Sequence, residues 1–242
     1  MIWPRVPVLC YHRIEQPPAH APRDTNFVTP EQFAEQVAML ASWGCTGVTV
    51  RDVARWQRGE MTLPPRAIAL TFDDAYDSVV TAAIPTLAQH GWPCTVYAVS
   101  HQVGGSNVWD AAAPRATLLD AAALRTLAAA GHEIGSHSRH HRRITTLTDR
   151  ERQDELAGSR LELEARLGSA VTSFAFPYGT HDRPSLRALS EAGYTSGGTL
   201  KRWANARGGN PLRMGRMGIG GPIPTWQVAA KLVKLMVTPS RA

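Results

Sequence analysis

Long apolar runs are missing from this chain. No stretch approaches the ~18–20 hydrophobic residues that a membrane-spanning helix needs, so no transmembrane segment is expected. No secretory leader is expected either. Met1-Ile2-Trp3-Pro4-Arg5 leads straight into a strand-like segment with no apolar core or cleavage site, which favours a cytoplasmic location. Cysteine is scarce: Cys10, Cys45 and Cys94 are odd in number and widely scattered. That argues against a disulfide framework or a cysteine metal motif, and each lies in or beside an apolar stretch, where a buried, inert thiol is expected. No internal repeat or linker marks a second domain. No nucleic-acid-binding motif accompanies the basic residues, so the net charge of +6 is read as attraction for an anionic substrate or as solubility.

What is present, in 242 residues of which 43% are hydrophobic, suffices for one large α/β domain spanning 1–242. Strand-like and helix-like segments alternate, as a parallel sheet with helical crossovers demands. Strands are expected near 6–14, 46–50, 67–70, 94–99, 134–136, 173–176 and 214–219. Thr29 as N-cap and Pro30 at the first helical position start a helix holding Phe33, Val37 and Leu40. Further helices are expected over 77–90, 118–130, 148–167, 184–192 and 225–237. Residues 15–29 and 100–117 read as long loops, the second carrying Trp109-Asp110.

Two short segments carry the chemistry. Thr71-Phe72-Asp73-Asp74 closes an apolar run that reads as a buried strand. Adjacent carboxylates there repel one another unless a cation sits beside them. His137-Ser138-Arg139-His140-His141 offers imidazoles four residues apart, a spacing that lets both face one point from a single turn of backbone. One Asp and two His form the ligand set of a catalytic metal site with open positions, leaving the other carboxylate free as a base. The pattern is that of a hydrolase.

These residues resemble the polysaccharide deacetylase family, carbohydrate esterase family 4 or NodB-homology domain, whose first two motifs are T-F-D-D and H-[ST]-x-x-H. Val6 to Ile14 looks like the first strand of its exopolysaccharide deacetylase branch. Gly131-His132-Glu133-Ile134-Gly135-Ser136 leads into the second motif as in the family, and Phe174-Ala175-Phe176-Pro177-Tyr178-Gly179 looks like the third. The resemblance runs over roughly residues 6 to 220 and implies a single-domain α/β fold, a distorted (β/α)7 barrel. It implies Asp74, His137 and His141 as ligands of a divalent metal, zinc first, with nickel, cobalt or iron also suited. Asp73 becomes the general base, acting on water that the metal makes acidic.

Departures from the family pattern set further expectations. The Arg two residues before the third-motif Pro is replaced by Ala175, and Arg216 is assigned to supply the missing cation, with Arg213 as second choice. Pro177 shapes the groove wall, and the main chain of Tyr178 is assigned to the oxyanion. The last motif's His is absent from 213–221, so the general acid is Asp73 after it has gained a proton, or His12. Ala75 stands where the family commonly has Gly, harmless if the backbone there has negative φ. The implied function is removal of an N-acetyl or other small acyl group from an amino sugar, in a polysaccharide, oligosaccharide or sugar conjugate. Candidate substrates include anionic and lipid- or nucleotide-linked sugars, and the choice among them depends on the two long loops. The alternatives are an O-deacetylase and a non-catalytic carbohydrate-binding homologue.

Overall fold

The computed structural model describes residues 3–19, 26–221 and 223–237. Its centre is built from short runs of small, β-branched and aromatic residues: β1 Val8–Tyr11, β2 Thr46–Val48, β3 Ala67–Phe72, β4 Thr95–Ala98, β5 Glu133–Ser136, β6 Ser173–Ala175, β7 Ser196–Gly198 and β8 Met217–Gly218. Every residue of β1, β3, β4, β5, β6 and β7 is buried, so these strands show continuous burial instead of alternation. All pairings within this sheet are parallel, in the order β7-β6-β5-β4-β3-β1-β8, with β2 also on β3; Arg5–Val6 pairs antiparallel with Asn205–Ala206 outside it. β2 uses residues 67–69 of β3 and β4 uses 71–72, on the edge opposite β1. A parallel bridge between Gly198 and Met214 draws the two ends of the sheet together. The result is the distorted (β/α)7 barrel implied by the motifs, closed by the segment that carries Arg216.

The helices begin where the caps dictate. Thr29 and Gln32 form a capping box for α1, Pro30–Ser42. Thr49 and Asp52 form another for α2, Val50–Gln57, so the strand expected over 46–50 stops early and a helix follows it. The helical stretch expected over 77–90 is a π turn, Val79–Ala83, running into α3, Ile84–Ala88. Asp120 caps α4, Ala121–Ala129. The long helix expected over 148–167 is α5, Asp149–Gln153, then a π turn, Asp154–Gly158, then α6, Ser159–Leu167. The extra residue in that turn coincides with a buried carboxylate, Glu155. α7 is Arg183–Glu191 and α8 is Thr225–Val237. Among the described residues no helix is long and apolar enough to cross a membrane.

The loop expected over 15–29 ends in a short strand, Phe27–Val28, paired in parallel with Arg13–Ile14; its residues 20–25 lie outside the described set. The core packs helices onto the barrel. Phe33 of α1 meets Tyr11 at 5.2 Å and Phe72 at 5.8 Å between ring centroids, tying α1 to the ends of β1 and β3. Edge-on aromatic contacts of this kind add about 0.5–1.5 kcal/mol beyond the area buried. They brace the backbone immediately before Asp73. All three cysteines are free and buried.

Candidate active site

Asp73 and Asp74 leave the C-terminal end of β3, where parallel barrels carry their chemistry. The Asp73 N–H donates to Tyr11 O at 2.9 Å, continuing the ladder by one residue. The chain then turns through two left-handed residues, Asp74 at φ 71° and Ala75 at φ 56°. The condition under which Ala75 is harmless therefore fails. A left-handed alanine costs roughly 1–2 kcal/mol, and the turn here carries that strain. What the turn accomplishes is separation: the two carboxylates face different partners.

Asp73 faces Arg216. Nη1 donates to Oδ1 at 2.6 Å and Nη2 to Oδ2 at 2.8 Å, a bidentate pair with both side chains buried. Arg216 is itself fixed by donating from Nε to Thr199 O and from Nη1 to Thr71 Oγ1, both at 3.2 Å. Burial alone drives the Asp73 carboxyl up, but Arg216, then His137, outweigh it and hold it well below the usual range. Arg213 lies elsewhere, with its guanidinium 5.0 Å from the Trp203 ring centroid. The route of Arg216 across the barrel explains Gly198: a Cβ there would stand 2.7 Å from Arg216 Nε and 2.9 Å from Cδ. Gly198→Ala is therefore expected to push the guanidinium off Asp73 and lower kcat by about 10²-fold, the scale of a 1 Å misplacement. Steady-state kinetics alongside metal analysis checks this, with metal content expected to hold.

Asp74 faces the imidazoles. His137 follows β5 directly, and His141 returns through a loop with Ser138 at φ 68° and His141 at φ 59°, not through a helical turn. Ser138 Oγ accepts from the His141 N–H at 3.0 Å, and Glu155 accepts from the Arg139 and His140 N–H groups at 3.0 and 2.9 Å. Glu155 also pairs with His140 Nδ1 at 2.8 Å. Sequence reading missed Glu155, because a π turn inside an amphipathic helix has no sequence signature. Glu155→Gln is expected to loosen the loop between the two histidine ligands and weaken divalent metal affinity by up to about tenfold, the low end of what losing a group bonded directly to a ligand costs, measurable by zinc titration.

His137 Nδ1 lies 2.8 Å from the Ala175 carbonyl oxygen, which can only accept, so Nδ1 carries the proton and Nε2 presents its lone pair. That Nε2 is 3.6 Å from Asp74 Oδ1, and His141 Nε2 is 3.4 Å from the same oxygen. One ligand atom from each of the three residues lies within 4.8 Å of the others. Donors around a tetrahedral zinc, with bonds of about 2.0–2.2 Å, stand roughly 3.4 Å apart, so the set fits such an ion. Asp74 Oδ1 is buried without a hydrogen-bond partner. Burial, then the Asp73 charge, push the Asp74 carboxyl well above the carboxylate range, while burial, then His137, pull His141 down to about 2. A cation among these three atoms removes both penalties.

The remaining candidates sit around this pair of clusters. Cys10 donates from Sγ to Asp73 Oδ2 at 3.3 Å, and Cys10, His12 and Asp73 form a second group of potential ligand atoms within 4.8 Å. His12 is half-buried, and burial followed by the opposing effects of Asp73 and His137 brings its imidazole down to about 4. Pro177 is buried, whereas Tyr178 is exposed and left-handed at φ 60°, its ring edge-on to His141 with centroids 5.0 Å apart. Trp109, from the long 100–117 connection, stacks on His141 at 4.7 Å with the ring planes 16° apart.

The sequence profile of polysaccharide deacetylases matches residues 60–197. The putative polysaccharide deacetylase YxkH of Bacillus subtilis (strain 168) is 22% identical over 203 residues, 84% of this chain and 67% of that protein. The poly-beta-1,6-N-acetyl-D-glucosamine N-deacetylase of Escherichia coli (strain K12) is 33% identical over 87 residues, 35% of this chain and only 12% of that much longer protein. The crystal structure of BC0361, a polysaccharide deacetylase from Bacillus cereus, superimposes with a TM-score of 0.78 at 25% identity, covering 94% of this chain and 69% of that one. With motifs, barrel and profile in agreement, the chain belongs to the polysaccharide deacetylase family.

Proposed function

We propose that the protein is a metal-dependent hydrolase that removes an N-acetyl group from an amino sugar in a polysaccharide or oligosaccharide. The observation that carries this reading is an arginine-held carboxylate, Asp73, whose Oδ2 lies 3.8 Å from His137 Nε2 at the edge of an Asp–His–His cluster. Asp74, His137 and His141 would hold the ion. When bound, a divalent cation polarises the acyl carbonyl and makes the attacking water acidic enough for a carboxylate to deprotonate it.

Asp73 takes that proton. A carboxylate offers about four lone-pair sites; Arg216 fills two and the Cys10 thiol a third, leaving one for water. The bidentate clamp fixes the direction in which that site points. Once protonated, Asp73 is a strong acid in this setting and can return the proton to the departing amine. His12, neutral at pH 7, then supports Asp73 instead of serving as a charged acid. The Tyr178 main chain, held left-handed after Pro177, is assigned to the carbonyl oxygen as negative charge develops there.

The non-catalytic alternative rests on two departures, the missing third-motif Arg and the missing last-motif His; the Arg216 clamp on Asp73 answers the first, and protonated Asp73 is proposed to answer the second. N- over O-deacetylation follows the named activity of the Escherichia coli relative. The test is acetate release from an N-acetylglucosamine oligomer. Release that stops on chelation and returns with zinc supports the proposal, and release indifferent to a chelator contradicts it.

A further inference from the structure

Beside the His137–His141 loop lies an open cleft of about 490 Å³ whose walls include Trp109, His141, Arg142, Arg143, Leu147 and Tyr178. No Asp or Glu occurs among its described lining residues. Arg142 is neutralised by Glu151, with Nη2 donating to Oε1 at 2.9 Å. Arg143 is not. Its guanidinium lies over the Tyr178 ring, 4.4 Å from the centroid, and Nη1 reaches Thr180 Oγ1 at 3.3 Å. No carboxylate among the described residues pairs with it. The stack orients the planar fork while leaving its edge to solvent. Tyr178 in turn touches His141, so this charge stands one aromatic ring from the candidate metal ligands.

We propose that this cleft selects acetylated glycans bearing an oxyanion, carboxylate or phosphate, on or next to the acetamido sugar, with Arg143 as the residue that reads it. The inference rests on the deacetylase reading above. A guanidinium held against a ring matches either oxyanion through two parallel hydrogen bonds, and a cleft lined by one sign of charge concentrates such ligands. A neutral oligomer would leave the cation without an anionic partner.

Calorimetric titration tests this with three ligands: a glucuronate–N-acetylglucosamine tetrasaccharide, N-acetylglucosamine 1-phosphate and the neutral N-acetylglucosamine tetramer. At least one anionic ligand is expected to bind about tenfold or more tighter than the neutral tetramer at low salt, the preference shrinking as salt screens it. The tighter of the two identifies the oxyanion. Arg143→Gln is expected to bring the ratio within about twofold of unity, Arg143→Lys to retain part of it, and Arg55→Gln, which removes the same charge from α2, to leave it unchanged. Equal binding by the parent protein, or a preference that survives Arg143→Gln, overturns the inference. Acetate release from the same ligands separates the two readings. Anion-selective binding without acetate release counts against the deacetylase reading alone, and release without anion selectivity counts against this one alone.

Discussion

Asp73→Asn is expected to lower kcat by about 10²–10⁴-fold, the usual worth of a positioned general base. The amide keeps the shape of the carboxylate and can still accept from Arg216, but it cannot take a proton from water. It also strands a buried cation. Arg216 is enclosed and its charge is answered by Asp73 through two hydrogen bonds. Breaking a buried pair from one side costs about 3–5 kcal/mol. In a chain of this size that corresponds to a drop in Tm on the order of 10 °C. The double variant Asp73→Asn/Arg216→Met separates the two effects, because an apolar side chain in place of the stranded cation recovers most of the lost stability. Its Tm should return toward the parental value while its turnover stays at the level of the single variant. Near-parental turnover in Asp73→Asn would remove Asp73 from the chemistry, and recovery of turnover together with Tm would make its role structural.

His137→Ala is the second large effect. Its imidazole is held by the Ala175 carbonyl on one side and faces Asp74 on the other. Removing it takes away a ligand atom and leaves His141 as the remaining imidazole facing the Asp74 carboxylate. Metal affinity should fall by more than the about 10–100-fold typical of a supporting residue, and turnover should fall with it. Titration with zinc, followed by activity at saturating metal, distinguishes the causes. Turnover that returns in excess metal means His137 acts through affinity, whereas unchanged affinity would remove it from the ligand set.

The parts of this site that could be read in the sequence are those set by short, contiguous chemistry. T-F-D-D at a strand end and H-S-R-H-H after another bring a carboxylate and two imidazoles together because parallel strands of one barrel deliver their C-terminal ends to one face. Arg216 was assigned from its position on a late strand, and the guanidinium does reach Asp73 across the barrel. What escaped depends on backbone that sequence patterns do not encode. Ser196–Gly198 is a buried strand, yet its Gly197-Gly198 pair carries the signature of a turn; Gly198 is small because Arg216 passes over it. Thr46 to Val50 reads as extended, and only the Thr49–Asp52 capping box shows that a helix begins there. The left-handed residues Asp74, Ala75, Ser138, His141 and Tyr178 gather at the site. Each is a non-glycine held in a costly conformation by surrounding contacts, and local propensity argues against every one.

The division of labour between two neighbouring carboxylates is the central claim, and metal content measures it most directly. Asp73→Asn and Asp74→Asn are isosteric changes one residue apart. Elemental analysis of the two purified proteins after zinc loading should find about one ion per chain in Asp73→Asn and a small fraction of that in Asp74→Asn. Equal metal content in both variants, or loss from Asp73→Asn instead, would contradict the account.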